Sequence, residues 1–254
     1  DYIIDKENFK LFLETNQGLS YSRNRGYKEA SGKYIAYMDD DARANPDWAE
    51  KILFDFNTVI PNPDVVGGKI LPIYEMAPPD WFSNDFEVRS WGENSRYLPI
   101  NLAKFGFSGS NMIFRREILE EYNGFSTNFG MNGKKLRMGE DTELFFRITK
   151  KYKNIYYDPE LLIYHWTPSR NYDVLYRIKR SYSGGVTRCL MENEENVMFV
   201  LIKSITGLLL PFINYFRNSF KYKFLIKKIN VKFIEELSYR LGYFITFLGF
   251  RKDD

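Results

Sequence analysis

Three consecutive carboxylates, Asp39, Asp40 and Asp41, follow directly on the apolar run Tyr34–Met38. A short apolar run bounded by turn residues predicts a strand buried on both faces. Ligands of open α/β sheets bind beyond the carboxyl ends of such strands. If the chain stays extended, Asp39 and Asp41 point to the same side, an arrangement suited to Mg²⁺ or Mn²⁺ together with substrate phosphate oxygens. The alternative is an acidic, solvated corner between a strand and a loop.

A second pair of carboxylates, Glu140 and Asp141, stands at the start of a helical pattern. Leu144, Phe145 and Ile148 form one apolar face, which predicts a helix that begins at the two carboxylates. Carboxylates at a helix N-terminus are stabilised by the helix dipole. A purely capping role is therefore the alternative to a chemical one for this pair.

His165 is the only histidine of the chain, and it ends the apolar run Leu161–Tyr164. Its place at the end of a predicted strand matches that of Asp39, so we expect it to face the same crevice. Imidazole is a good ligand for Mn²⁺ and a poorer one for Mg²⁺. The alternative is a structural histidine.

The segments that must position these groups alternate between strand and helix patterns. Phe9–Leu13 is a strand candidate, a helix is predicted from Ser20 to Ala30, and the carboxylates follow the next strand, which together predicts a βαβ unit. Val65–Ile73 is a further strand candidate, which Gly67 and Gly68 weaken.

The second half of the chain continues this pattern around two long loops. Strands are predicted for 107–114, 155–159 and 161–165, and a short helix for 115–121. Glu75–Pro99 has no clean period and predicts a long functional loop or lid. Phe125–Lys135 is rich in Gly and Asn and predicts a mobile loop.

The composition is that of a folded globular protein. Of 254 residues, 44% are hydrophobic and 27% charged, which excludes a disordered chain. The 18% aromatic share predicts a wide apolar surface to bury or a membrane interface to contact. Cys189 is the only cysteine, which excludes an intramolecular disulfide and fits a reducing compartment. The first residues do not have the pattern of a signal peptide.

Positive charge is concentrated in the tail, residues 197–254. The tail holds ten Lys and Arg against four Asp and Glu, a surplus of +6, so the preceding 196 residues carry −3 of the total of +3. This distribution argues against a nucleic-acid partner for the main domain and predicts an anionic surface near the tail. Basic, amphipathic helices with aromatic residues typically lie in a membrane interface. The alternatives are helices that pack on the main domain and a membrane span through Val197–Ile213.

The ordered set of motifs resembles the family-2 glycosyltransferases of the GT-A fold, over Asn16 to Arg188. The residues that carry the resemblance are Asn16-Gln17-Gly18-Leu19-Ser20, Ser22–Gly26, Tyr34–Asp41, Pro46-Asp47-Trp48, Gly109-Ser110-Asn111-Met112, Gly124-Phe125, Gly139–Leu144 and His165. It implies an α/β fold with a Rossmann-like, mixed and mostly parallel sheet flanked by helices. Residues 1–196 would be the catalytic domain, and 197–254 a helical, membrane-associating appendage.

The resemblance also implies site roles. Asp39, Asp41 and His165 would hold the metal ion, and Asp141 would be the general base of an inverting transfer. Further nucleotide-sugar contacts would come from Arg23, Asn24, Asp39, Asp40, Asp41, Gly109, Asn111 and Arg180, with Arg177 and Arg188 near the diphosphate. Glu140 and Trp166 would lie near the acceptor.

The implied function is a metal-dependent, inverting glycosyltransferase of the hexosyltransferase type that uses Mg²⁺ or Mn²⁺. It would move a sugar from a nucleotide-diphosphate sugar to a glycan or lipid-linked acceptor in surface polysaccharide synthesis. We expect it on the cytoplasmic face of the cell membrane as a peripheral protein, bound to the anionic surface through its tail.

Two alternatives to this function stay open, and one departure from the family bears on the first of them. Members usually open with strands that hold the nucleoside base, and this chain starts too late to contain them, so we expect an N-terminally incomplete domain. The alternatives are a degraded, non-catalytic scaffold and a phosphatase of the haloacid-dehalogenase type. The phosphatase pattern usually continues with Thr or Val where this chain has Arg43. The sequence does not identify the sugar, the nucleotide or the acceptor.

Overall fold

The computed structural model describes residues 9–131, 138–192, 197–221 and 226–249. The helices are α1 (Leu19–Glu29), α2 (Trp48–Thr58), α3 (Ile100–Ala103), α4 (Arg116–Glu121), α5 (Glu140–Ile148), α6 (Val174–Glu192), α7 (Val197–Lys221) and α8 (Ile226–Gly249). The strands are β1 (Tyr34–Tyr37), β2 (Ala42–Ala44), β3 (Val65–Tyr74), β4 (Arg96–Tyr97), β5 (Met112–Arg115) and β6 (Ile155–Thr167). Part of the loop predicted at 125–135 lies outside the described residues.

These strands form one mixed sheet in the order β1-β5-β3-β6-β2, with β4 also paired to β6. The predicted α/β architecture with flanking helices is confirmed. The long pairing of β3 with β6 is parallel, and the other four pairings are antiparallel. Among the described strands the parallel share is therefore smaller than the sequence predicted.

The first strand of the expected βαβ unit is absent from the described residues. Residues 9–13 lie in no strand, and the Leu11 side chain is 96% exposed. β1 is consequently at the sheet edge, with β5 as its neighbour. Ile35 and Tyr37 are buried while Ala36 is exposed, so β1 is covered on one face rather than on both.

The glycine pair in β3 strengthens the packing of the sheet where the sequence predicted a weakness. A Cβ on Gly67 would lie 2.2 Å from the Phe107 ring, and one on Gly68 would lie 1.8 Å from the Leu161 carbonyl oxygen. Only glycine permits these approaches. The two strands predicted around Pro159 are also one continuous strand, β6.

The main core lies between the sheet and α5. Met112 and Phe114 of β5 and Leu144, Phe145 and Ile148 of α5 are fully buried in one cluster. This confirms the apolar face predicted for α5. Burial of each such side chain contributes about 1.5–3 kcal/mol, which fixes the position of the carboxylates at the start of the helix.

α8 packs closely on α6, as one of the alternatives for the tail predicted. A Cβ on Gly185 would lie 1.9 Å from the Tyr239 carbonyl oxygen, and one on Gly242 would lie 2.2 Å from that of Tyr182. The two backbones can approach this closely because both positions lack a side chain. Val231 of α8 is also buried against the segment 75–99.

The segment 75–99 is anchored by a cluster of aromatic side chains. Trp81, Phe82 and Phe86 are buried together with Val231. Arg177 of α6 lies over the Phe86 ring, 3.8 Å from its centroid. The predicted long loop is therefore fixed to α6 and α8.

α7 contacts α8 on one side and exposes large apolar side chains on another. Phe212 and Tyr215 pack on Phe233 of α8, at ring-centroid distances of 5.0 and 5.3 Å. The exposed apolar residues of α7 are Ile202, Ile205, Leu209, Leu210, Phe212, Ile213 and Phe216. Among the helices described, none combines the length and apolar character needed to cross a membrane.

Candidate active site

Asp39, Asp41 and His165 are brought together by the pairing of β2 with β6. Ala42 lies opposite His165 in this antiparallel pair, and the Trp166 amide donates to the Asp41 carbonyl at 2.9 Å. His165 Nε2 is 3.2 Å from Asp41 Oδ1 and 3.7 Å from Asp39 Oδ2. One potential ligand atom from each residue lies within 4.8 Å of the others.

The protonation of this group suits a cation. Burial alone would raise the pKa of Asp39, but hydrogen bonds from His165 and Ser110 and the charge of Arg23 hold the pKa well below its usual range. Asp39 is thus ionised at neutral pH. The hydrogen bond to Asp39 raises the pKa of His165; burial opposes this, and the charge of Asp41 adds to it.

The donor atoms fit a divalent ion. Two carboxylates and one imidazole are the oxygen and nitrogen ligands that Mn²⁺ accepts, while Mg²⁺ favours the oxygens. His165 Nδ1 is 2.9 Å from the Trp166 carbonyl oxygen, and such a bond directs the other ring nitrogen towards a metal. Asp39, Asp41 and His165 form what we call the ligand triad.

Arg23 of α1 joins the ligand triad to α5. Its guanidinium is 3.2 Å from Asp39 Oδ1 and 2.5 Å from Glu140 Oε1, and the side chain is only 7% exposed. A Cβ on Gly109 would lie 1.9 Å from Arg23 Nη2, so the glycine leaves the space that the guanidinium fills. Burial lowers the pKa of Arg23, but the charges of Glu140 and Asp39 raise it overall.

Glu140 is a buried carboxylate rather than an open acceptor contact. Burial raises its pKa, the charge of Asp141 adds to this, and Arg23 opposes both. With its side chain 7% exposed and bound to Arg23, Glu140 helps to hold the arginine in place.

Asp141 is connected to the ligand triad through the dipeptide Gly109–Ser110. The Gly109 amide donates to Asp141 Oδ2 at 3.2 Å, and the next residue, Ser110, donates its hydroxyl to Asp39 Oδ2. Asp141 Oδ1 accepts from the Thr142 amide at 2.6 Å. The dipeptide Gly109–Ser110 therefore contacts both the predicted base, Asp141, and the predicted metal ligand Asp39.

A cavity of about 1080 Å³ is lined by Asp141. Its walls come from Phe86 and residues 88–91, from the start of α5, and from α6 and α8, and Asn214 of α7 also lines it. The three triad residues do not line this cavity. The structure therefore contains two adjacent regions, one at the triad and one in the cavity, with Asp141 between them.

The first half of the sequence is similar to a known family. A model of the family described as Glycosyl transferase family 2 matches residues 1–123, which include Arg23 and the carboxylates that follow β1. Residues 1–123 are therefore similar to a glycosyl transferase family 2 domain. The match favours a glycosyltransferase over the phosphatase alternative. Asp141 and His165 lie beyond the matched residues.

Two curated proteins of sugar transfer and polysaccharide synthesis are similar to this chain. The glucosyl-dolichyl phosphate glucuronosyltransferase of Haloferax volcanii is 28% identical over 188 residues, 70% of this chain and 57% of the relative. The succinoglycan biosynthesis protein ExoM of Rhizobium meliloti is 23% identical over 176 residues, 68% of this chain and 52% of the relative. The chain thus spans a little over half the length of these relatives.

Among solved structures, the fold resembles a mannosyltransferase of Pyrobaculum calidifontis determined in complex with GDP-Man and Mn²⁺. The TM-score is 0.50 at 15% identity, covering 91% of this chain and 66% of the other. This likeness supports the fold, and the predicted glycosyltransferase fold class is confirmed.

Two of the predicted nucleotide-sugar contacts bond to other parts of the protein. Asn24 bonds both the amide and the carbonyl of Phe125 at 2.8 Å. The Asn111 side chain is fully buried, donates to the Leu161 carbonyl at 2.6 Å and accepts from Trp48 Nε1 at 3.0 Å. Their side-chain amides are therefore hydrogen-bonded within the protein, and their role as nucleotide-sugar contacts stays a prediction.

The remaining predicted residues lie around the site in different ways. Asp40 is exposed beside the ligand triad, and Trp166 is exposed next to His165. Arg180 lines the cavity rather than the triad. Ser110, which bonds Asp39, was not among the predicted site residues, although it lies within the family motif Gly109–Met112.

Proposed function

We propose that this protein is a metal-dependent, inverting glycosyltransferase that moves a sugar from a nucleotide-diphosphate sugar to a glycan or lipid-linked acceptor. The observation that carries the proposal is the dipeptide Gly109–Ser110, which contacts Asp141 on one side and Asp39 on the other. A transfer needs the leaving diphosphate and the deprotonated acceptor on opposite sides of one anomeric carbon. Two sites that share one short segment meet this need.

Asp141 is assigned the role of the general base. The acceptor hydroxyl oxygen attacks the anomeric carbon, its proton passes to the Asp141 carboxylate, and the bond to the diphosphate oxygen breaks with its electron pair on the diphosphate. Asp141 lines the cavity, and the Gly109 and Thr142 amides hold its two oxygens. These contacts fix the carboxylate at the edge of the acceptor space.

Asp39, Asp41 and His165 would hold Mg²⁺ or Mn²⁺. When bound, the ion neutralises negative charge on the nucleoside diphosphate. Arg23 and the Ser110 hydroxyl orient the Asp39 carboxylate and keep it ionised.

The acceptor and the location of the protein are proposed from the relatives and from α7. One relative is named for action on glucosyl-dolichyl phosphate and another for succinoglycan synthesis, which supports a lipid-linked acceptor in surface polysaccharide synthesis. The exposed apolar side chains of α7, together with the basic tail, support peripheral binding to an anionic membrane. We place that binding on the cytoplasmic face because the reducing compartment inferred from the single cysteine is there.

The replacement Asp141→Asn tests the assignment of the base. It keeps the shape and removes the basicity, so the transfer rate should fall by about 10²–10⁴-fold while Mn²⁺-dependent binding of the nucleoside diphosphate is unchanged. Asp80→Asn, at an exposed position of the segment 75–99, is the matched control. Joint loss of rate and nucleotide binding would identify Asp141 as a structural cap. A wild-type protein that binds the nucleotide without transfer would favour the scaffold alternative.

A further inference from the structure

One side of α6 presents arginines to the cavity that Asp141 lines. Arg177, Arg180 and Arg188 all face this cavity, and they recur at helical spacing, so they form a stripe along the helix. Arg89, from the segment 75–99, lines the same cavity. Their charges therefore act on whatever occupies the acceptor side of the site.

Arg177 has its charge balanced by the protein. Its guanidinium is 3.3 Å from Glu87 Oε1 and 2.7 Å from Glu235 Oε1, and it stacks on the Phe86 ring. The side chain is buried. We assign it a structural role that joins the segment 75–99, α6 and α8.

Arg180 and Arg89 have charges that the neighbouring carboxylates balance less closely than they balance the charge of Arg177. Arg180 Nη1 is 3.6 Å from Glu87, a carboxylate that Arg177 already holds more closely. Arg89 donates to the carbonyls of Phe86 and Val88 and, among the described residues, to no carboxylate. Arg177 and Arg180 thus share the Glu87 carboxylate. In line with this, burial lowers the pKa of Arg89, and the charge of Arg180 lowers it further.

Arg188 offers a further donor to the same cavity. Its Nε and Nη2 atoms contact the same Glu192 oxygen at 2.7 and 2.5 Å. Its Nη1 atom is buried and, within the part of the chain that the structure describes, has no hydrogen-bond partner. A buried guanidinium nitrogen without a partner is costly, and an anion would satisfy it.

We propose that the α6 wall of the cavity binds a phosphate group carried by the acceptor, with Arg180 as the main ligand and Arg188 as the second. This deepens the proposed function and rests on it, because the cavity is taken as the acceptor side of Asp141. The donor diphosphate is assigned to the ligand triad, whose residues do not line this cavity. Guanidinium groups are the side chains best matched to phosphate oxygens. The acceptor class is accordingly a phosphorylated one, either a sugar on a lipid phosphate or a phosphorylated glycan.

Calorimetric titration of the full chain tests this with geranyl phosphate, geraniol and inorganic phosphate as probes. Arg180→Gln should weaken binding of geranyl phosphate by about 10–100-fold, since hydrogen bonds to charged groups are worth about 1.5–3 kcal/mol. Arg188→Gln should weaken it by a smaller factor, and Arg180→Lys should retain part of the affinity. The control is Arg25→Gln, an arginine of α1 that is paired with Glu29 and does not line the cavity, and this variant should bind as the wild type does.

The probes separate the sources of the phosphate. Geranyl phosphate that binds more tightly than inorganic phosphate identifies a lipid phosphate, and equal binding identifies a phosphorylated glycan; both support the inference when Arg180→Gln weakens them. Geraniol that binds as tightly as geranyl phosphate, or an Arg180→Gln protein that is folded and binds normally, overturns it.

A separate measurement distinguishes this inference from the proposed function. Mn²⁺-dependent binding of nucleoside diphosphate should be the same in Arg180→Gln and in the wild type, because the ligand triad is intact. Loss of both affinities together would place Arg180 on the donor side and overturn the inference. A wild-type protein that binds phosphate through Arg180 but transfers no sugar would remove the proposed function and leave the anion site.

Discussion

Asp55 of α2 should make the stability of the protein depend on pH. Its side chain is 3% exposed and lies against Asp158 of β6 on the face of the sheet opposite α5. The two carboxyl groups share a hydrogen bond in which Asp55 holds the proton. Burial raises the pKa of Asp55 to about 7, and the charge of Asp158 adds to this effect. The folded protein therefore holds a proton at pH 5 that the unfolded chain has already released.

The sign and size of the effect follow from this difference. An acid whose pKa is raised by folding contributes its full stability below its unfolded pKa, near 3.8, and loses it as the pH rises to the folded value. Each pH unit in this window costs about 1.4 kcal/mol. Between pH 5 and pH 8 the Asp55 contribution to the free energy of unfolding should fall by about 2–3 kcal/mol.

Urea denaturation at pH 5, 6, 7 and 8, followed by circular dichroism, tests this prediction. Asp55→Asn removes the titrating group, so the variant should gain about 2–3 kcal/mol on the wild type as the pH rises from 5 to 8. Glu50→Gln, at an exposed position of the same helix, is the control, and its difference from the wild type should stay constant. A constant difference for Asp55→Asn as well would refute the reasoning.

Three further perturbations examine the site and the tail. Asp41→Asn should weaken Mn²⁺ binding by calorimetry at least about tenfold, while Asp40→Asn, which leaves the ligand triad intact, should change it far less. Gly109→Ala places a Cβ 1.9 Å from a guanidinium nitrogen, so it should displace that arginine, lower the melting temperature and abolish transfer. Phe216→Glu, at a residue 66% exposed on α7, should reduce co-flotation with anionic liposomes, whereas Phe54→Glu, at a residue 62% exposed on α2, should not.

Each of these three predictions would be contradicted by a different result. Equal Mn²⁺ affinity of the two aspartate variants would mean that the carboxylates form only an acidic corner. Full activity of Gly109→Ala would show that the arginine can leave its place without consequence. Equal flotation of the two phenylalanine variants would show that α7 does not contact the membrane.

The groups of the site that the sequence predicted are those fixed by local pattern. Asp39 and Asp41 follow a strand, Asp141 begins an amphipathic helix, and His165 lies near the end of another strand. Hydrophobic periodicity determines such positions. The proximity of these residues then follows from strand pairing, since Ala42 and His165 lie opposite each other.

The features that the sequence could not predict depend on contacts between distant segments. Asn24 and Asn111 occur within motifs of the family, yet their amides bond backbone groups 101 and 50 residues away. Arg23 bridges to Glu140 across 117 residues. Gly67 looked like a strand breaker, and only the position of Phe107 explains it. A single sequence contains no record of such pairings.

The helix that exposes the apolar side chains also reaches the cavity. Asn214 of α7 lines the cavity together with Asp141 and donates to Glu236 of α8 at 2.8 Å. If the exposed side of α7 rests on a bilayer, a lipid-borne acceptor reaches Asp141 by diffusing within the plane of the membrane. Its search is then two-dimensional, and the encounter rate depends on the number of acceptors per unit area of membrane rather than on their bulk concentration.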